Sequence, residues 1–392
     1  MKIIQDVQSL DGKKVLLRLD LNVPLKDRII KDDTRINKIL PILNYLLEKK
    51  AKILIISHVG RPKGKVNNDL SMKPICEFLE KKINQKIELI TEDIRKIKDK
   101  NLFKNLNQNV LVLENIRFYS EEEENNLDFA KHLASFGDIY VNDAFSCSHR
   151  AHASVTNITK FLPSYAGLQL NSEVNALQKV TSDIKKPITC IIGGSKISTK
   201  IGIIENLIPK LDNIIFVGGM ANNILNFKKF PIGKSIFEKN CDQIIAKIFE
   251  VSGKNSCSIT YPEDVVIGKE LRGKSFIKDS ADVNNDDIIL DIGPKTIKKI
   301  DSLIKSSKTI LWNGPAGYFE NPDFATGSYE IAKSIVRNFK MNSIYSVAGG
   351  GDTIAVINKI NAIDNFNFVS TAGGAFLEYL EGKTLPGISA LK

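Results

Sequence analysis

At 392 residues the chain exceeds the length at which one hydrophobic core stops growing, and its 43% hydrophobic and 26% charged residues match an ordinary globular protein. Its net charge of +10 is spread over 55 basic and 45 acidic residues without a long Lys/Arg block or a basic run interleaved with aromatics, which suits polyanionic small molecules better than nucleic acid. The absence of a membrane-length apolar run and of a signal-like amino terminus, with cysteines only at 76, 147, 190, 241 and 257 and no C-x-x-C pair, predicts a cytoplasmic protein with reduced thiols rather than disulfides or zinc.

In the first half, apolar runs at 15–19, 53–57, 87–90, 110–114 and 139–142 read as strands. They alternate with helical patterns at 34–50, 71–82 and 127–136. Such alternation predicts a parallel sheet covered on both faces, with ligands beyond the carboxyl ends of its strands. Just past those ends come Asp20, Leu21 and Asn22; His58, Val59, Gly60 and Arg61; Arg117; and Arg150, while the helix at 34–50 opens with Arg35. Each arginine alone is more often a surface ion pair, and His58 more often a satisfied structural group. Four guanidinium groups and an imidazole at one sheet edge point instead to an anion pocket, with Asp20 and Asn22 able to orient hydroxyls. His58, His149 and His152 lack companions for a metal site. The acidic run 121–124 reads as a solvated loop or helix start.

The boundary between halves is expected near 163–167, followed by a connecting helix at 171–181 that contains no Gly/Ser-rich or Pro-rich run. The second half repeats the rhythm, with strands expected at 188–192, 214–217, 257–260, 288–291, 310–312, 344–347 and 366–370. Their exits are glycine-rich: Gly193-Gly194, Gly218-Gly219, Gly293-Pro294, Asn313-Gly314-Pro315, Gly350-Gly351-Asp352-Thr353 and Ala372-Gly373-Gly374. After 188–192, bare backbone is followed by Lys196 and Lys200 four apart where a helix could begin, a combination suited to phosphate. Asp352 could cap its helix or engage a nucleotide-bound Mg²⁺, and Glu320 could accept from a ribose. Gly268 to Ser275 formally satisfies the P-loop pattern, with 288–291 as its metal-binding strand. The intervening residues leave no room for a phosphate-capping helix and a return strand, so a P-loop NTPase is the weaker alternative. A G-x-G-x-x-G dinucleotide fingerprint is absent.

In order, the runs 18–24 (Arg-Leu-Asp-Leu-Asn-Val-Pro), 57–62, 143–154, 193–200, 312–315 (Trp-Asn-Gly-Pro), 349–353 and 368–388 resemble those of the phosphoglycerate kinase family over essentially the whole chain. The resemblance implies an α/β enzyme of two doubly wound, Rossmann-like parallel-sheet domains joined by a helix, with a cleft between them. The triose domain would comprise 1–168 plus 378–392, and the nucleotide domain 169–377. It implies a monomeric, cytoplasmic, glycolytic kinase that moves a phosphoryl group between 1,3-bisphosphoglycerate and ADP, giving 3-phosphoglycerate and ATP with Mg²⁺, by closure of two lobes. Its partners would be these small molecules, with neither nucleic acid nor membrane. Carried over by position, Asp20, Leu21, Asn22, Arg35, His58, Val59, Gly60, Arg61, Arg117 and Arg150 would bind the triose. Gly194, Lys200, Gly218, Gly219, Asn313, Pro315, Glu320, Gly350, Gly351, Asp352 and Thr353 would bind nucleotide, with Asp352 serving the metal. Arg35, Lys196, Gly373 and Gly374 would face the phosphoryl group in transit.

Several positions depart from the family pattern. Ala372 stands where a glycine is usual, Val217 replaces the first glycine of a triplet, and Ser146-Cys147-Ser148 replaces Gly-Thr-Ala. Ser195 and Thr199 are milder changes. Ala372 would be strained if its backbone needed a positive φ.

Overall fold

A computed structural model describes residues 1–98, 102–103 and 109–392. The chain forms two compact units, one of Met1–Val174 with Thr384–Lys392 and one of Asn175–Lys383. The carboxyl-terminal segment returns to the first unit, where the Gly387 N–H donates to the Ser148 carbonyl at 2.8 Å. The helix Leu168–Thr181 begins in the first unit and ends in the second.

The first unit is built on a six-stranded sheet in the order Ile87–Ile90, Val110–Leu113, Lys52–Ile56, Lys14–Arg18, Ile139–Asn142, Ser164–Ala166. All neighbouring pairs are parallel. Val110–Leu113 and Ile139–Asn142 are buried at every residue, which is why they read as continuous apolar runs rather than alternating ones. The helix Thr34–Glu48 buries Ile36, Ile39, Ile42, Leu43 and Leu46, a stripe of helical spacing that packs into the same core as Val15, Leu17, Ile53 and Ile55. Packing that stripe fixes the first turn of the helix, and with it Arg35.

The second unit has its own six-stranded parallel sheet, ordered Ser258–Thr260, Asn213–Phe216, Ile188–Ile192, Thr309–Asn313, Tyr345–Gly349, Phe368–Ser370. A three-stranded antiparallel sheet, Phe276–Asp279, Asp264–Gly268, Ile288–Ile292, accompanies it. This corrects one expectation and agrees with the rejection of the P-loop match. The run at 288–291 is a strand, but an antiparallel one, so Gly293-Pro294 does not leave the edge of the parallel sheet; an apolar run signals burial and says nothing about which strand lies beside it. Residues 269–275, the formal P-loop match, connect the antiparallel strands Asp264–Gly268 and Phe276–Asp279 and open no helix.

Where the first sheet hands over to the connecting helix, the fully buried Asp143 carboxylate accepts the Leu170 N–H at 2.9 Å. Gly167 lies against it, and a Cβ there would come 2.4 Å from Asp143 Oδ1. Gly167→Ala should therefore destabilise the protein by about 1–3 kcal/mol in denaturant unfolding, because neither the helix start nor the buried carboxylate has room to move.

Candidate functional site

In the first unit the strand ends are cross-pinned before any ligand is considered. Ser57 donates to the Leu19 carbonyl and accepts the Leu21 N–H, while Asn115 donates to the carbonyls of Val59 and Leu70. Asn22 Oδ1 accepts the Gly60 N–H at 2.9 Å, and Arg117 Nη1 donates to the Gly60 carbonyl at 3.0 Å. Leu21 and Val59 turn their side chains into the core. The backbone groups of Leu21 and Gly60 are engaged within the turns themselves.

Arg35 donates to Asp20 at 3.1 Å and to the Asn22 carbonyl at 3.0 Å, so the helix start and the first strand's exit are joined by one guanidinium. Asp20 also accepts from Ser146, the first of the three residues that depart from the family pattern. Arg61 is exposed on the same turn as Gly60, and Arg150 is half-buried. Arg117 is 4% exposed, and burial lowers its pKa, with Arg18 and Arg150 adding to the effect.

Arg18 and Glu122 carry a role that motif reading did not assign. Arg18, at the end of the first strand, is fully buried and donates from Nε to Ser154 Oγ at 3.0 Å. Ser154 in turn donates its hydroxyl at 2.6 Å and its N–H at 2.8 Å to the carboxylate of Glu122. Glu122 is completely buried, which corrects the reading of 121–124 as a solvated run; burial pushes its carboxyl up, opposed first by Arg18. A four-glutamate run conceals this, since only one of its members faces inward.

Arg18 Nη2 lies 3.3 Å from His58 Nδ1. A guanidinium can only donate, so Nδ1 accepts and the proton of the neutral ring sits on Nε2. Burial holds the His58 pKa well below the usual histidine range, reinforced by Arg18, Arg117, His152 and Arg35. The edge thus offers a neutral imidazole donor among guanidinium groups, an arrangement suited to a polyanion.

In the second unit, Gly193 and Gly314 follow neighbouring parallel strands and meet backbone to backbone; a Cβ on Gly314 would lie 2.5 Å from the Gly193 carbonyl carbon. Lys200 Nζ donates to the Gly193 carbonyl and to Asn313 Oδ1, each at 2.6 Å. Burial lowers its pKa to about 8, opposed by the Asp352 carboxylate. Asn313 donates its amide to the Gly349 carbonyl at 2.7 Å, so it cages the lysine and ties three strand ends together. Thr353 is buried in the first turn of the helix Gly351–Lys359, and its hydroxyl accepts the Gly314 N–H at 2.8 Å, which leaves its O–H donor uncommitted by that bond. The helix expected at the lysines begins only at Ile201, after a 3₁₀ turn Ser198–Lys200, and Lys196 is exposed ahead of that turn.

A cavity of about 410 Å³ opens here. Gly194, Gly218, Gly219, Pro315, Glu320 and Asp352 line it, and the antiparallel strand residues 288–292 with Ile236, Leu271, Tyr318 and Phe319 supply an apolar wall that the motifs did not indicate. The helix Gly351–Lys359 starts from Gly350 at φ +97° without a side-chain cap, so Asp352 is exposed to the cavity rather than spent as a cap. Gly373, at φ +57°, precedes the helix Gly374–Leu380. The left-handed residue of that turn is Gly373 and not Ala372, so the alanine carries no such strain. Val217 is extended at φ −133° and fully buried, so its side chain is accommodated.

The phosphoglycerate kinase family model matches residues 4–383. A phosphoglycerate kinase from Wolbachia sp. subsp. Brugia malayi is 45% identical over 100% of this chain and 99% of its own length, and one from Rhizobium meliloti 41% identical over 100% and 98%. Among solved structures, phosphoglycerate kinase from Coxiella burnetii superposes with a TM-score of 0.91 at 38% identity, covering 99% of this chain and 98% of that one. The enzyme from Pyrococcus horikoshii gives 0.81 at 29% identity, covering 100% and 98%.

Burial also drives the His152 pKa down to about 3. A histidine depressed when folded binds fewer protons than it does unfolded, so its contribution is intact above the ordinary value near 6.5 and is lost as pH falls toward the folded value. His152→Gln should accordingly narrow the stability difference between pH 7 and pH 4, measured by denaturant midpoints at each pH.

Proposed function

The chain belongs to the phosphoglycerate kinase family, and we propose that its first unit takes the anionic triose and its second unit the nucleotide in reversible transfer of a phosphoryl group from 1,3-bisphosphoglycerate to ADP. The chain is a kinase acting on a carboxyl acceptor. The observation that carries the assignment of roles is that each unit gathers one complementary half of the chemistry at the carboxyl edge of its own parallel sheet: guanidinium groups around a neutral His58, and glycine turns around a caged Lys200.

In this reading His58 Nε2, Arg61, Arg117 and Arg150 hold the triose phosphate and carboxylate, and Asp20 and Asn22 orient its hydroxyl. Gly194, Gly218, Gly219 and Pro315 line the nucleotide cavity, Glu320 accepts from the ribose, and the first turn from Gly350 to Thr353 faces the phosphates. Among the described residues no group of three His, Cys, Asp or Glu could hold a metal alone, whereas a single open carboxylate joined by phosphate oxygens is the donor set Mg²⁺ accepts. Asp352 fits that place, and the ion would supply neutralisation of phosphate charge.

Arg35, Lys196 and the backbone at Gly373 and Gly374 face the group in transit. Phosphoryl transfer needs in-line positioning and compensation of charge on the equatorial oxygens, which guanidinium, ammonium and N–H groups provide without a covalent intermediate. The leaving carboxylate of an acyl phosphate is stable unprotonated at neutral pH, so no general acid is required. Direct transfer demands that both ligands meet with water excluded, so turnover requires the units to close on them. The reading includes a monomer acting on small molecules in the cytoplasm, without nucleic acid or membrane; among the described residues no helix is long and apolar enough to cross a membrane.

Purified protein given 1,3-bisphosphoglycerate, ADP and Mg²⁺ should form ATP. Arg35→Ala and Lys196→Ala should each lower kcat by roughly a hundredfold or more, the scale of losing one transition-state charge contact. Undiminished turnover in both variants would reject their roles.

A further inference from the structure

We propose that Glu238 is a positioning residue for the nucleotide's phosphate groups: it holds the 193–200 turn in place from a segment that also forms the cavity's apolar wall. The inference rests on the nucleotide reading of the second unit.

The 3₁₀ turn Ser198–Lys200 has no side-chain cap from its own N-cap residue, Ile197. Its missing acceptor comes from 40 residues away: one Glu238 oxygen accepts the Ser198 N–H at 3.0 Å and the other accepts the Ser198 hydroxyl. Glu238 is itself fixed, because its N–H donates to Asn223 Oδ1 at 2.7 Å. The buried Asn223 sits on the helix Gly218–Phe227 and donates its amide to the Gly219 carbonyl at 2.9 Å. A continuous chain of hydrogen bonds thus runs from Gly219 through Asn223 and Glu238 to Ser198, linking the two glycine turns that border the cavity. Its neighbour Asn222 donates to the Ile236 carbonyl at 3.0 Å, and Ile236 lines the cavity.

The consequence falls on Lys200, the last residue of the turn. Its ammonium reaches the Gly193 carbonyl and Asn313 only while the turn keeps its shape. The bonds from Ser198 hold the Glu238 carboxyl below its ordinary range, with the Lys196 charge adding to them, so the acceptor stays ionised at neutral pH. Glu238 is half-buried and does not line the cavity, so its effect is transmitted through Ser198.

Glu238→Ala should raise the KM for ADP about tenfold, the scale of one charge-assisted hydrogen bond, while the KM for the triose changes less than about twofold. Calorimetric titration should show the same loss for ADP but not for adenosine, which carries no phosphate for the turn to hold. Glu238→Gln, which keeps one acceptor oxygen, should recover most of the loss. An unchanged ADP KM, equal rises for ADP and triose, or equal losses for ADP and adenosine would each overturn the proposal. Absence of ATP formation by the unaltered protein would instead refute the proposed activity, and the ADP titration would still decide the role of Glu238.

Discussion

Backbone pressed against backbone at the ends of adjacent parallel strands is the constraint on which each site depends. Parallel pairing delivers neighbouring turns to one edge of a sheet, where their N–H and C=O groups have lost strand partners and must find others. In the second unit Gly193 and Gly314 come so close that a side chain on either is excluded, and Lys200, crossing both turns, donates to the Gly193 and Asn313 carbonyl oxygens. In the first unit Ser57, Asn115 and Arg117 perform the equivalent cross-pinning between the turns after three strands. Groups required to stabilise the apo fold are therefore the same ones that define the shape offered to an anion.

Beneath the first of these edges the protein buries a full charge pair. Arg18 and Glu122 are both removed from water and joined through Ser154, so desolvation is offset only while all three are present. The arrangement gives direction as well as compensation: it presents a donor to His58 Nδ1 and thereby settles which nitrogen of that ring bears the proton. Arg18 thus acts on the pocket without occupying it.

Much of this was legible in the sequence because strands buried on both faces are written as unbroken apolar runs, as at Ile188–Ile192 and Ile139–Asn142. The arginines were legible because a parallel sheet assigns its strand exits to one edge. Ser164–Ala166 was not, being three residues long and only partly buried, nor was Asp264–Gly268, whose pairing is decided by contacts far along the chain. Strand 288–292 was visible as a strand but not as an antiparallel one, and so the apolar wall it makes against the cavity was missed. Asn313 illustrates a further limit: residue type placed it at the site, yet only geometry shows that its side-chain oxygen accepts from Lys200.

Trp312 is the chain's single tryptophan, fully buried in the strand that ends at Asn313 and stacked on Phe366 with ring centroids 6.3 Å apart. Its indole N–H donates to the Gly314 carbonyl at 2.8 Å, the next turn residue but one. Intrinsic fluorescence at this position is therefore a native optical reporter of the glycine turn, free of interference from any other indole, and its emission follows rearrangement of that turn without a label.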